Sequence, residues 1–350
     1  MSEPFVVRRR TVEAVRRDAA PAHHGAVAVT AVPVVGPTSR RLPDHPALEP
    51  LRAVLGDPCV TDVFVNGPDG LFVDRGRGVE QVSGWHADGE QLRALAVALI
   101  GIGGRHLDDG SPLVDVRWEH GARVHAVLPP VARSGTAISI RLPGADLPDL
   151  DELVRRGLCD DATAARLDAL VAARTNLLIS GATGAGKTTL LAALLGRVGP
   201  HERIITIEDV AELRIRHPHH VALEARQPNL EGAGGVSLAR LVREALRMRP
   251  DRLVVGECRG EEVRELLTAL NTGHAGGAGT IHTGSIGDLP ARLEALGALA
   301  GMDDRALARQ VASAIGAVIH IERGPDGIRR IAGFARPVLD GGRLEMEALS

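Results

Sequence analysis

Lysine is almost absent from this chain. Of the 41 lysine and arginine residues among its 350 positions, one is lysine, Lys187, and that scarcity excludes the N-K-x-D base-recognition element of a GTPase-type switch. Tyrosine does not occur and aromatics make up 2%, so a basic groove with stacking rings is unsupported and no direct nucleic-acid contact is expected. No run approaches the roughly 20 apolar residues of a membrane span. The stretch from Met1 to Arg17 alternates arginine clusters with short apolar pieces and lacks a signal-peptide core, so a cytoplasmic location is expected. Three isolated cysteines, Cys59, Cys159 and Cys258, form neither a disulfide framework nor a CxxC metal site, and they read as small buried hydrophobes.

What the chain does contain is enough apolar residue, 44%, for about two cores at this length. Residues 1–45, with Arg8 to Arg10, Arg16, Arg17, Arg40 and Arg41, carry no helical stripe and read as a flexible basic arm. Residues 46–144 alternate short strands with one amphipathic helix, a small α+β domain. Three of its strands carry Arg117, Arg123 and Arg141, as surface ion pairs or as guanidinium forks for a triphosphate at a boundary. An acidic, proline-containing linker at 145–160 leads into 161–350, where apolar strands and amphipathic helices alternate. That order predicts a mostly parallel sheet covered by helices, finished by a β-meander.

Lys187 lies in G-A-T-G-A-G-K-T-T, Gly181 to Thr189, between the apolar run Leu177 to Ile179 and a helical leucine pattern. Strand, glycine-rich loop and helix form the context of a phosphate cradle. Gly181, Ala182, Thr183, Gly184, Ala185 and Gly186 would turn backbone N–H groups on phosphate oxygens at the positive end of a helix. Lys187 would reach the β- and γ-phosphates, Thr188 would hold Mg²⁺, and Thr189 completes the motif. The cofactors expected are ATP and Mg²⁺.

Parallel sheets present chemistry at the C-terminal ends of their strands. Two strands predicted beside the loop end in acids, one at Glu208-Asp209 and one at Gly256-Glu257. One carboxylate would orient or deprotonate the attacking water while the other holds Mg²⁺, partly through water. His274 and His282 flank what reads as a glycine-rich bend and could sense the γ-phosphate. His217, His219 and His220 invite a metal reading, but a plain loop accounts for them.

With these motifs assembled, the sequence resembles the secretion-superfamily motor ATPases of type II secretion, type IV pili and type IV secretion. It looks closest to the tight-adherence pilus and conjugal-transfer-associated branch of actinobacteria. The resemblance runs from about Pro46 to the C-terminus. It is carried by T-D-V-F-V-N-G-P-D-G from Thr61, G-A-R-V-H-A-V-L-P-P from Gly121, I-S-I-R from Ile138, the phosphate loop, I-E-D-V-A-E-L from Ile207, V-V-G-E-C-R-G from Val254 and N-T-G-H-A-G-G-A-G-T-I-H-T from Asn271. It implies an α/β chain with a RecA-like P-loop NTPase domain behind a smaller N-terminal α+β domain, assembled as a homohexamer. Glu208 then falls in the family's Asp box, Glu257 in its Walker B, and His274 with His282 in its His box. Arg117, Arg123 and Arg141 fall where the N-terminal domain or a neighbouring subunit offers arginines. The implied activity is ATP hydrolysis driving pilus assembly or protein secretion, at the inner face of the membrane and against a platform protein. A RecA-like hexameric ATPase acting on DNA is the alternative.

Overall fold

A computed structural model describes residues 42–349, apart from 77, 119–120, 143–147 and 227–232. The arginines of the expected basic arm lie outside the described residues. The described chain opens with a 3₁₀ turn, Pro46–Leu51, that runs into helix α1 (Arg52–Gly56). Six strands follow: β1 (Asp62–Asn66), β2 (Leu71–Asp74), β3 (Val79–Gln81), β4 (Leu113–Arg117), β5 (Arg123–Val127) and β6 (Ala137–Arg141). Helix α2 (Gly89–Ile102) lies between β3 and β4 in the chain. The strands form an antiparallel sheet in the order β3-β2-β1-β6-β5-β4.

Alternation decides its two faces, since successive side chains point to opposite sides of a pleated strand. Val63, Val65, Val114, Val116, Val124, Ala126, Ile138 and Ile140 face a core shared with Leu92, Ala96 and Leu99 of α2. Asp88 starts that helix with a reciprocal capping box, accepting from the Gln91 N–H while Gln91 accepts from its own. The buried Trp118 indole N–H donates to the Leu99 carbonyl at 3.0 Å, which fastens helix to sheet.

The second half is built on one eight-stranded sheet. Its elements are α3 (Leu150–Arg155), α4 (Asp161–Ala172), β7 (Leu177–Gly181), α5 (Lys187–Leu195), β8 (Ile204–Glu208), β9 (His220–Glu224) and α6 (Leu238–Ala245). Then come β10 (Arg252–Val255), α7 (Glu262–Asn271), β11 (Ala278–His282), α8 (Leu289–Leu299), α9 (Asp304–Ala314), β12 (Ala317–Arg323), β13 (Arg329–Asp340) and β14 (Arg343–Leu349). The strand order is β14-β13-β12-β7-β11-β10-β8-β9. Every pair from β12 to β9 is parallel, and β12-β13-β14 is an antiparallel meander at one edge. One face packs on α3, α4 and α5, the other on α6 to α9. Strands buried on both sides explain the unbroken apolar runs in β7, β8 and β10.

Three expectations need correction. The segment read as a linker contains α3, capped by Asp149, and its Leu150 is buried in the core with Leu158, Leu167 and Leu191. The stretch between His274 and His282 is not a bend throughout, because Ala278–His282 is a central strand. Of the cysteines, only Cys258 is buried, while Cys159 is intermediate and Cys59 is exposed.

Candidate nucleotide site

The glycine-rich loop leaves the C-terminal end of β7, a strand buried at all five residues. Gly186, at φ +100°, begins α5 without any side-chain cap. The first N–H groups of that helix therefore point out of its end with no side chain satisfying them. Lys187 is 6% exposed. Its ammonium donates to the carbonyls of Gly181 and Ala182, both at 2.9 Å, and to Nδ1 of His282 at 3.0 Å. The Thr183 hydroxyl also lies 3.3 Å from that nitrogen. With Nδ1 accepting, the ring proton sits on Nε2, 3.1 Å from a carboxylate oxygen of Glu257. The result is a hydrogen-bonded chain, Lys187 to His282 to Glu257.

Sheet order explains the chain. His282 ends β11, the immediate neighbour of β7, and is in register with Gly181. Glu257 follows β10, the next strand out. Burial pulls the Lys187 pKa down to about 8 against the opposing charge of Glu257. Burial first, and the Lys187 charge second, hold the His282 imidazole below its ordinary value, so the ring is kept neutral.

Glu208 ends β8, three strands from β7, roughly 14 Å at about 4.8 Å per strand. It is 4% exposed, and its carboxylate accepts from the N–H groups of Glu212 and Leu213 at 3.0 Å. A Cβ at Gly256 would stand 2.5 Å from the Glu208 Cγ, so only glycine there leaves room for the carboxylate arm. Burial pushes its pKa up to about 7, although those amides and Arg117 act the other way. Beside it, Asp209 binds Arg259 at 2.5 Å.

The three sequence-predicted arginines share one row on the open face of the N-terminal sheet. Arg117 is opposite Arg123, and Arg123 is opposite Arg141. Arg123 holds Asp115 at 2.9 Å, a bond that raises its pKa, and it also feels Glu212 and Asp209. Arg123 and Arg141 line a cavity of about 240 Å³ with Asp62 and Asp115. Arg117 instead reaches the other sheet, binding Glu224 at the end of β9 and donating to the Ala211 carbonyl at 3.0 Å.

The structure thus brings together the loop, Lys187, His282 and Glu257, with Glu208 farther along the same strand ends and the arginine row on the other sheet. It places His274 elsewhere. His274 precedes β11 and contacts the Ala269 carbonyl, whereas His282 ends that strand, roughly 13 Å beyond its first residue Ala278. His217, His219 and His220 bind the Gly199 carbonyl, Arg203 and Thr206, three different partners. Among the described residues, no three His, Cys, Asp or Glu side chains group to hold a metal ion. Sequence reasoning missed Glu224 and Arg259. Only Arg259 had a signal, its position two residues after Glu257 in the same strand-end loop.

The donor set fits a polyphosphate. Uncapped helix N–H groups face the loop, and the buried ammonium has only carbonyls and a neutral imidazole as direct partners. Thr188, one residue on, has no side-chain hydrogen bond within the described residues and is only partly buried, which leaves its hydroxyl open for Mg²⁺. A parallel sheet in which a glycine loop runs from β7 into α5, with a histidine and an acid presented by the next two strands, defines a RecA-like P-loop fold. The chain belongs to the Type II/IV secretion system protein family, which matches residues 45–324.

It is similar to Rv3659c of Mycobacterium tuberculosis (strain H37Rv), with 50% identity over 294 residues, 82% of this chain and 83% of the relative. It is 34% identical over 289 residues to the conjugal transfer protein TrbB of Rhizobium radiobacter, 80% of this chain and 84% of that one. The fold matches the pilus retraction motor PilT with bound ADP at a TM-score of 0.57 and 21% identity, across 87% of this chain and 82% of that one. No helix among the described residues is long and apolar enough to cross a membrane.

Proposed function

We propose that this chain is an ATP-hydrolysing motor that powers assembly of a tight-adherence type IV pilus or secretion of protein substrates across the inner membrane. It would work as a homohexamer at the cytoplasmic face, against a platform protein. What supports hydrolysis is above all the Lys187–His282–Glu257 chain at the mouth of the phosphate loop. A ligand γ-phosphate would draw the Lys187 ammonium off the Gly181 and Ala182 carbonyls. That movement removes the donor to Nδ1 of His282, and the ring would then have to take up a proton at Nδ1 before it could donate to the phosphate, since an unprotonated Nδ1 only accepts. Glu257, 40% exposed and held by the Nε2 proton, is placed to orient or deprotonate water. Mg²⁺ held by Thr188, with Glu208 and Glu257 acting through water, would neutralise phosphate charge. Among the described residues of one subunit, His274 contacts the Ala269 carbonyl and not the loop, so its proposed sensing role would need a neighbouring subunit.

The arginine row supports a motor over a static binding module. Arg117 joins the N-terminal sheet to the end of β9 and to the β8–β9 loop, whose Glu212 and Leu213 amides hold Glu208, so a change at the nucleotide can be passed to the other sheet. An arginine that meets transition-state charge contributes about 10³-fold or more. Arg117→Ala, Arg123→Ala and Arg141→Ala are expected to include at least one variant with that loss in steady-state ATPase rate. A scan in which all three stay within twofold of the parent rules the arginine mechanism out.

A second reading, an ATPase acting on DNA, is favoured by the likeness to a conjugal transfer protein. ATPase rates with and without single-stranded DNA separate the two. The pilus or secretion reading expects rates within twofold, and tenfold stimulation would replace it.

A further inference from the structure

The hairpin formed by β12 and β13 runs past the end of β7. His320 is the last β12 residue paired with β7, opposite Ser180, so Ile321 to Arg323 extend alongside the glycine loop. The return strand begins at Arg329, directly opposite Arg323. Like charges directly opposite in an antiparallel pair are destabilising. The neighbouring pair shows the usual solution, because Glu322 faces Arg330 and Arg330 is also bound by Asp326 at 2.6 Å.

Neither Arg323 nor Arg329 has a carboxylate partner among the described residues. Arg329 lies over the phosphate loop and donates from Nε to the Gly184 carbonyl at 3.3 Å. Its Cδ would stand 2.8 Å from a Cβ at Gly186, so this glycine at φ +100° lets the arginine settle against the loop. Arg323 donates to the Gly76 carbonyl at 2.8 Å, in the turn between β2 and β3 of the N-terminal sheet. Burial, and then the Arg323 charge, lower the Arg329 pKa, in keeping with a cation that lacks a counter-charge.

Arg329 thus rests against the phosphate loop and Arg323 stands directly opposite it in register, two exposed cations with no carboxylate partner among the described residues. We propose that Arg323 and Arg329 form a second grip on the nucleotide, binding its phosphates from the meander side opposite Lys187. The inference rests on the nucleotide reading of the loop and deepens it. The loop's N–H groups and Lys187 hold the chain of phosphates from β7 and β11, and the arginine pair closes on it from β12 and β13. Because Arg323 also holds Gly76, phosphate binding at this pair tightens the contact between the hairpin and the N-terminal sheet.

The test is calorimetric titration of the full chain with ADP and with inorganic triphosphate, for the parent protein, Arg329→Ala, Arg329→Gln and Arg323→Ala. Charge-assisted contacts to phosphate are among the strong hydrogen bonds, so at least a tenfold loss in affinity for both ligands is expected at position 329. The nucleotide-free Tm of Arg329→Ala is expected to be equal or higher, since the like-charge pair has been relieved. Affinities within twofold of the parent for all three variants, with the parent binding ADP, overturn the proposal and leave the loop's reading intact. A loss for ADP with unchanged triphosphate binding also overturns it, because the arginines then meet the base rather than phosphate. A parent that binds neither ligand removes both readings together.

Discussion

Glu208 holds a proton at pH values where most glutamates are ionised. Its pKa rises from 4.5 to about 7 because burial outweighs the two amides and Arg117 that favour the anion. Between those values the folded chain binds a proton that the unfolded chain has released. Its contribution to stability is thus complete below about pH 4.5 and is lost as the pH climbs through about 7. Glu208→Gln removes this loss, so the variant should gain on the parent between pH 5 and pH 8. Urea midpoints measured at both pH values check this, and a constant difference between the proteins contradicts it.

At the same scale, Lys187 supplies the positive charge of the loop. Lys187→Ala should abolish detectable nucleotide binding in the same titration while the chain stays folded by circular dichroism. Lys187, Glu257 and His282 were legible in the sequence because a loop pattern and strand-end positions point to one place. His274 was misplaced for a physical reason. The small residues Gly277 to Gly279 look like a bend, yet they are small because a central strand passes beneath α7 there. A Cβ at Gly279 would touch Cys258 and Leu266 at 3.3 Å. Arg323 and Arg329 were silent, since two arginines flanking a turn mean nothing until register sets them face to face.

The elements were read best where two signals agreed. Strands β5 and β6 are plain because apolar alternation and turn residues coincide, and α9 follows Asp303, whose carboxylate accepts from the Ala306 N–H at 2.9 Å. Helix α3 was hidden by its acidic composition, and β3 by having all three residues exposed. The capping box of α2 gives a direct prediction at this scale. Asp88→Ala should cost about 1 kcal/mol of stability by urea unfolding, with little effect on nucleotide affinity, because the cap lies at the helix start rather than at the site. A change under about 0.3 kcal/mol would show that packing of Leu92, Leu95 and Leu99 alone holds the helix.

At the scale of the molecule, two sheets meet through a few polar contacts near the nucleotide site. Arg117 with Glu224 and the Ala211 carbonyl forms one, and Arg323 with the Gly76 carbonyl another. Exposed or half-exposed ion pairs contribute little stability, about 0 to 1 kcal/mol each. Contacts so weak can be remade as the nucleotide changes, which is what the proposed motor would require of the joint between its parts.

The proposed function depends on hydrolysis at the Lys187–His282–Glu257 chain. The most direct measurement is the steady-state ATPase rate of the parent and of Glu257→Gln, with ADP affinity measured alongside. Turnover in the parent, a fall of about 10²-fold or more in the variant, and ADP affinity within about threefold are the result predicted for a residue that acts on water. A variant that binds ADP equally well and hydrolyses ATP within twofold of the parent would contradict the account.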